Sequence, residues 1–132
     1  MSVELIQEGI IAWNKHDGEA LCIGYTDESI VVHPRGTFKG KAAIRKFNED
    51  VWAAYPDSQV ESVTVGDLGN GLIAQQWIMR ATNSGTLVDG TPATGRKVTL
   101  PGATFTQYDG DKVVSERVYF DLHDLLKQLN VV

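Results

Sequence analysis

A carboxylate at the seam of two elements is the first group in this chain placed to do chemistry. Asp121 stands where the run Ser115-Glu116-Arg117-Val118-Tyr119-Phe120 gives way to His123-Asp124-Leu125-Leu126-Lys127-Gln128-Leu129. That passage reads as a strand running into a short closing helix. Strand side chains alternate between two faces, so Arg117, Tyr119 and Asp121 share one face and Val118 and Phe120 the other. A carboxylate in apolar surroundings can take a proton beside a carbonyl and return it. Asp is also among the best helix N-caps, so Asp121 fits a purely structural role as well. His33, just before Pro34, is the second titratable residue expected at a site, as partner acid or polariser. It would equally suit an ordinary polar contact at a strand end.

Cofactor-free aldol or enolisation chemistry has three requirements. A base must take the proton, a donor must stabilise the enolate, and water must be kept away. Asp121 is the expected base, with Tyr119 beside it. Trp77, Met79 and Phe105, on neighbouring strand-like runs, are expected to supply dry walls, with Tyr55 at the end of a helix. Trp13 and Trp52 read as core or cavity wall. The three histidines lack metal-ligand spacing, so no zinc site is expected. The glycines do not form a phosphate-binding phrase between a strand and a helix.

The elements that must position these residues follow from periodicity. Ile6, Ile10 and Trp13 form a helical stripe, and Asp17 caps a short second helix. Residues 29–33 form a short strand rich in β-branched side chains, ended by Pro34 and Gly36. Residues 41–55 form a third helix, with Ile44, Phe47, Val51 and Tyr55 on one face and Pro56 as its stop. The period then changes. Strands are predicted over 59–67, 72–82, 96–108 and 112–121, with a long connection over 83–95 and a tight turn at Asp109-Gly110. Three helices followed by a meander predict one α+β domain spanning 1–132. Its curved antiparallel sheet carries the three N-terminal helices on one face and is followed by a short C-terminal helix.

The bulk properties narrow the partners. The chain has 132 residues, 42% of them hydrophobic, enough for one core. A net charge of −5 argues against nucleic acid or an anionic membrane as partner. The single cysteine, Cys22, leaves no internal disulfide. The first residues, Met1-Ser2-Val3-Glu4-Leu5, lack the basic and apolar pattern of a secretory leader, so a cytoplasmic location is expected.

Local phrases add a resemblance. Gly36-Thr37-Phe38-Lys39-Gly40-Lys41-Ala42-Ala43-Ile44-Arg45-Lys46-Phe47 resembles the entry to the third helix in the nuclear transport factor 2-like superfamily. Tyr55-Pro56-Asp57, the segment Gly90-Thr91-Pro92-Ala93-Thr94-Gly95-Arg96, and Asp121 with Gln128-Leu129 resemble the SnoaL-like polyketide cyclases. The resemblance implies the cone fold and a cofactor-free intramolecular aldol condensation, with Asp121 in the acid/base position. It implies a small hydrophobic carbonyl compound as substrate and a homodimer as the assembly. In Thr82-Asn83-Ser84-Gly85, Asn83 takes the place of the histidine that many members carry, and Asn cannot exchange a proton near neutral pH. A second relative, the ketosteroid isomerases, would need oxyanion donors where this chain has Gly9 and Ala103, and neither side chain can donate. The function expected is acid/base catalysis of the aldol or isomerisation type. A non-catalytic domain that binds a small molecule or dimerises is the alternative.

Overall fold

The computed structural model describes residues 2–132, with side chains from residue 3 onward. Helix α1 (Ser2–Asn14) and the short α2 (Gly18–Leu21) are followed by strands β1 (Ile30–His33) and β2 (Gly36–Lys39). Helix α3 (Lys41–Ala54) comes next, then β3 (Gln59–Asp67), β4 (Leu72–Thr82), β5 (Lys97–Asp109), β6 (Lys112–Phe120) and the closing helix α4 (Leu122–Gln128). The six strands form one unclosed, curved sheet in the order β2-β1-β6-β5-β4-β3. The α+β reading and the four long strands stand as expected from the pattern.

Two features differ from that reading. The sheet is mixed, because β1 runs parallel to β6, with Val31 beside Glu116. There is also a further strand, β2, hidden in the sequence by its glycine and its few β-formers. It forms because Pro34-Arg35 makes a two-residue reversal between the paired residues His33 and Gly36, the latter at φ +144°. The same reversal lets the Arg35 backbone N–H donate to His33 Nδ1 at 3.0 Å.

Strand parity sets the two faces of the sheet. The inner face carries Ile73, Gln75, Trp77, Met79 and Ala81 of β4, and Val98, Leu100, Thr104 and Thr106 of β5. From β6 it takes Val113, Glu116, Val118 and Phe120. Two apolar clusters pack between this face and the helices. One joins Tyr55, Met79, Leu87, Leu100, Leu125 and Leu129. The other joins Cys22, Tyr25, Val31, Ile44 and Val113. Both edges are shielded. β2 is only four residues long. β3 is bulged between Ser62 and Thr64, and the Asn14 side chain both donates to and accepts from the Val60 backbone, at 3.0 and 2.7 Å. Among the described residues no helix is long and apolar enough to cross a membrane.

One pairing fixes the floor between the clusters. Trp77 lies opposite Gly102, and its Nε1–H donates to the Thr104 hydroxyl oxygen at 2.8 Å. A β-carbon at Gly102 would meet the indole at 2.4 Å. The Gly102→Ala variant should therefore displace the ring and cost about 1–3 kcal/mol by overpacking. Thermal unfolding followed by circular dichroism would register the loss, and an unchanged midpoint would refute this account of the floor.

Candidate active site

The inner face, α1, α2 and α3 enclose a cavity of about 340 Å³, at the lower end of the range usual for small-molecule sites, roughly 300–1,000 Å³. Exposed Glu8, Ile23 and Asp111 are among its lining residues and mark its mouth. The walls are largely apolar. The polar groups are few and fall at separate places.

The first is a carboxylate on β6. Glu116 faces inward, and its Oε1 accepts from the Tyr25 hydroxyl at 2.9 Å. The Thr106 hydroxyl, on the paired position of β5, donates to Oε2 at 3.4 Å. Burial pushes the Glu116 carboxyl above its ordinary range, while the two hydroxyls, by bonding the ionised form, oppose that rise. Tyr25 is driven well above the usual phenol range, first by burial and then by the charge of Glu116. Tyr108, also at the wall, is pushed up to about 12 by burial and by Glu116 and Glu8.

The second is His33, at the end of β1. Its ring meets Phe47 and Phe120 edge to face, with centroids 4.7 and 5.1 Å apart. Burial, with the Arg35 charge as a smaller contribution, lowers its pKa to about 4. The imidazole is therefore neutral at physiological pH. Because Nδ1 accepts from the Arg35 backbone, the proton resides on Nε2, making His33 a donor. Arg35 lines the same end of the cavity and pairs with Asp89 at 3.8 Å. Among the described residues, the Tyr55 hydroxyl and Gln75 Nε2 are buried polar atoms without a hydrogen-bond partner, and both residues line the cavity.

The expected site residues divide accordingly. His33, Trp13, Tyr55, Trp77 and Met79 line the cavity together. Asp121 does not. It is exposed, and its Oδ1 accepts from the Asp124 backbone N–H at 3.0 Å, so it is the N-cap of α4. Tyr119 and Phe105 lie on the outer sheet face, 55% and 37% exposed, where their rings meet edge to face. The reason is parity: the face shared by Arg117, Tyr119 and Asp121 points outward, and Glu116, Val118 and Phe120 point in. Trp52 is buried behind the wall, stacked on His16 with centroids 5.1 Å apart. Asn83 is fully buried and structural. Its amide donates to the Ala54 and Gly85 carbonyls, and its Oδ1 accepts from the Thr94 backbone and hydroxyl. It thereby anchors the 83–96 connection, whose Leu87 and Val88 close over the cavity.

Glu116, Tyr25 and Gln75 are the site residues that sequence reasoning passed over. The signal for Glu116 was available, since it shares a parity with Val118 and Phe120, the apolar side of the strand. Tyr25 carried no such signal, because its partner lies 91 residues away.

The depressed His33 pKa has a consequence for stability. The unfolded chain binds a proton here near pH 6.5, whereas the folded chain resists protonation down to about 4. The stability contributed by neutral His33 is thus present above pH 6.5 and is lost as pH falls toward 4, by no more than about 3.5 kcal/mol. The His33→Phe variant should show a flatter dependence of urea-unfolding free energy on pH across that window. An unaltered slope would contradict the burial of this ring.

Comparisons with known proteins agree with this architecture. AclR from Streptomyces galilaeus, a candidate hydroxylase, superposes with a TM-score of 0.85 at 21% identity, covering 99% of this chain and 96% of its own. IdmH from Streptomyces antibioticus, a candidate polyketide cyclase, gives 0.83 at 21% identity and 99% coverage of both chains. A ketosteroid isomerase-like fold from Catenulispora acidiphila, solved with trimethylamine, gives 0.83 at 18% identity, covering 98% of this chain and 94% of its own. The sequence matches no curated protein. The family model of the SnoaL-like domain matches residues 6–116, from within α1 through most of the sheet, and the chain therefore belongs to the SnoaL-like domain family.

Proposed function

We propose that this protein is a cofactor-independent acid/base enzyme acting on a small hydrophobic carbonyl compound, by aldol cyclisation or isomerisation. The observation that carries the reading is Glu116, a carboxylate inside a largely apolar cavity with its proton affinity raised by burial. As the ionised base, Glu116 takes a proton from the carbon beside the substrate carbonyl. The electron pair moves into the carbonyl to give an enolate, and neutral hydrogen-bond donors lining the cavity, His33 Nε2 among them, stabilise the oxygen. The enolate carbon then bonds to a second carbonyl carbon of the same molecule or is reprotonated at another position. In either case the proton held by Glu116 returns to the product. The cavity volume suits a compact ligand of two or three rings.

Exchange of the α-protons of 1-tetralone for deuterium, followed by proton NMR, isolates the first step without knowledge of the natural substrate. The wild-type protein should accelerate exchange. The Glu116→Gln variant should lose about 10²- to 10⁴-fold of that acceleration. Asp121→Asn keeps the helix cap and should stay within about twofold of wild type. Because the base must be ionised, the rate should rise with pH through an inflection above the ordinary glutamate value of 4.5. Undiminished exchange by Glu116→Gln would remove the base from the scheme, and its abolition in Asp121→Asn would return the role to the cap residue.

We also propose that the protein pairs with a second copy through the outer sheet face. That face exposes Val32, Phe105, Val114 and Tyr119, by 42%, 37%, 49% and 55%. Light scattering after size exclusion should give twice the 14.5 kDa of one chain, and Tyr119→Lys should reduce it to the single-chain mass. A wild-type mass of one chain would refute the pairing.

A further inference from the structure

The inner face of the sheet is ruled into rows by strand register. Ile73, Thr106, Glu116 and Val31 form one row. The next holds Gln75, Thr104 and Val118, and the third Trp77, Gly102 and Phe120. Glu116 and its partners account for the first row, and Trp77 over Gly102 for the third. The middle row has no assigned role, and its polar groups are anomalous.

Gln75 is 7% exposed, and among the described residues its side-chain Nε2 has no hydrogen-bond partner. A buried amide nitrogen without a partner is rare in folded proteins and points to a missing acceptor. Thr104, on the neighbouring strand, is 8% exposed. Its oxygen accepts from Trp77 Nε1, which leaves the hydroxyl proton available to a further acceptor, and among the described residues none is recorded for it. Two unspent donors thus sit side by side on adjacent strands, about 5 Å apart at the backbone. One carbonyl oxygen has two lone pairs and can accept from both. Along the sheet this row is two residues from Glu116, roughly 7 Å. Across it, Gln75 lies two strands from Glu116, roughly 10 Å.

We propose that Gln75, with Thr104, is the binding site for a ring carbonyl oxygen of the ligand, setting which end of a compact ketone faces Glu116. The assignment rests on the acid/base reading only for the purpose of the orientation; the binding itself does not require catalysis. It names the ligand class more narrowly: an aromatic or alicyclic ketone or quinone, rather than a hydrocarbon or an amine. The amide recognises the oxygen, and the Trp77 indole, locked over Gly102 and onto Thr104, holds the second donor in place.

The test compares 1-tetralone with tetralin, two bicyclic probes that differ by one carbonyl oxygen, by quenching of tryptophan fluorescence or by calorimetry. The readout is the ratio of their dissociation constants, tetralin over tetralone. Gln75→Met keeps the length and volume of the side chain without its donor. It should lower that ratio roughly five- to tenfold through the ketone constant, with tetralin bound as well or better. Gln75→Glu, which places an acceptor at the same point, should reject the ketone more strongly. Should Gln75→Met misfold, the Glu variant and the wild-type ratio still decide. A ratio unchanged in either folded variant, or wild type that fails to prefer the ketone, overturns the assignment. The two readings fail separately: Glu116→Gln should lose about 10²- to 10⁴-fold of the exchange acceleration while leaving the binding ratio as in wild type.

Discussion

The Tyr25–Glu116 hydrogen bond holds together two parts of the chain that nothing local would bring together, and it does so at the cost of burying a carboxylate. Leaving Glu116 in a dry wall without partners would be expensive. The Tyr25 and Thr106 hydroxyls lower that cost without cancelling it, and the remainder appears as a raised proton affinity. The turn after α2 is thereby tied to the middle of the sheet, and the cavity mouth is set between them. A carboxylate with stronger partners would be a better structural ion and a poorer base.

Around that contact the polar groups of the cavity are graded by charge. An acid-prone carboxyl occupies one region and a neutral imidazole another. His33 is kept neutral by its burial between Phe47 and Phe120 and oriented by the Arg35 backbone. Environments that push titrating groups away from their ordinary values are the usual mark of acid/base sites. The apolar walls of the cavity, Trp77 and Phe120 among others, keep bulk water from levelling the difference.

The fold was legible in the sequence because helix and strand periods are local. Strands 59–67 and 72–82 end where the pattern ends, since Gly69-Asn70-Gly71 can make the turn between them. β2 was not legible, because its existence depends on pairing with β1 rather than on its own side chains. The site was legible only in part. Period two divides Arg117-Tyr119 from Glu116-Val118-Phe120, but the choice of inner face is made by the whole sheet. Asp121 drew attention by a family likeness and by standing at a seam, which is also where a helix needs its cap. Asn83 drew attention by standing in for a histidine, yet its four hydrogen bonds are spent on the loop.

The treatment of the sheet margins bears on how such a chain can meet its own kind. β3 is kinked by an inserted residue and clasped by Asn14, and β2 offers too short a ladder to recruit a neighbour. Both rims are thus poor templates for an additional strand, which disfavours fibril-like growth along the hydrogen-bonding direction. The proposed pairing through the broad side of the sheet would use up the exposed face with one partner and leave nothing to propagate.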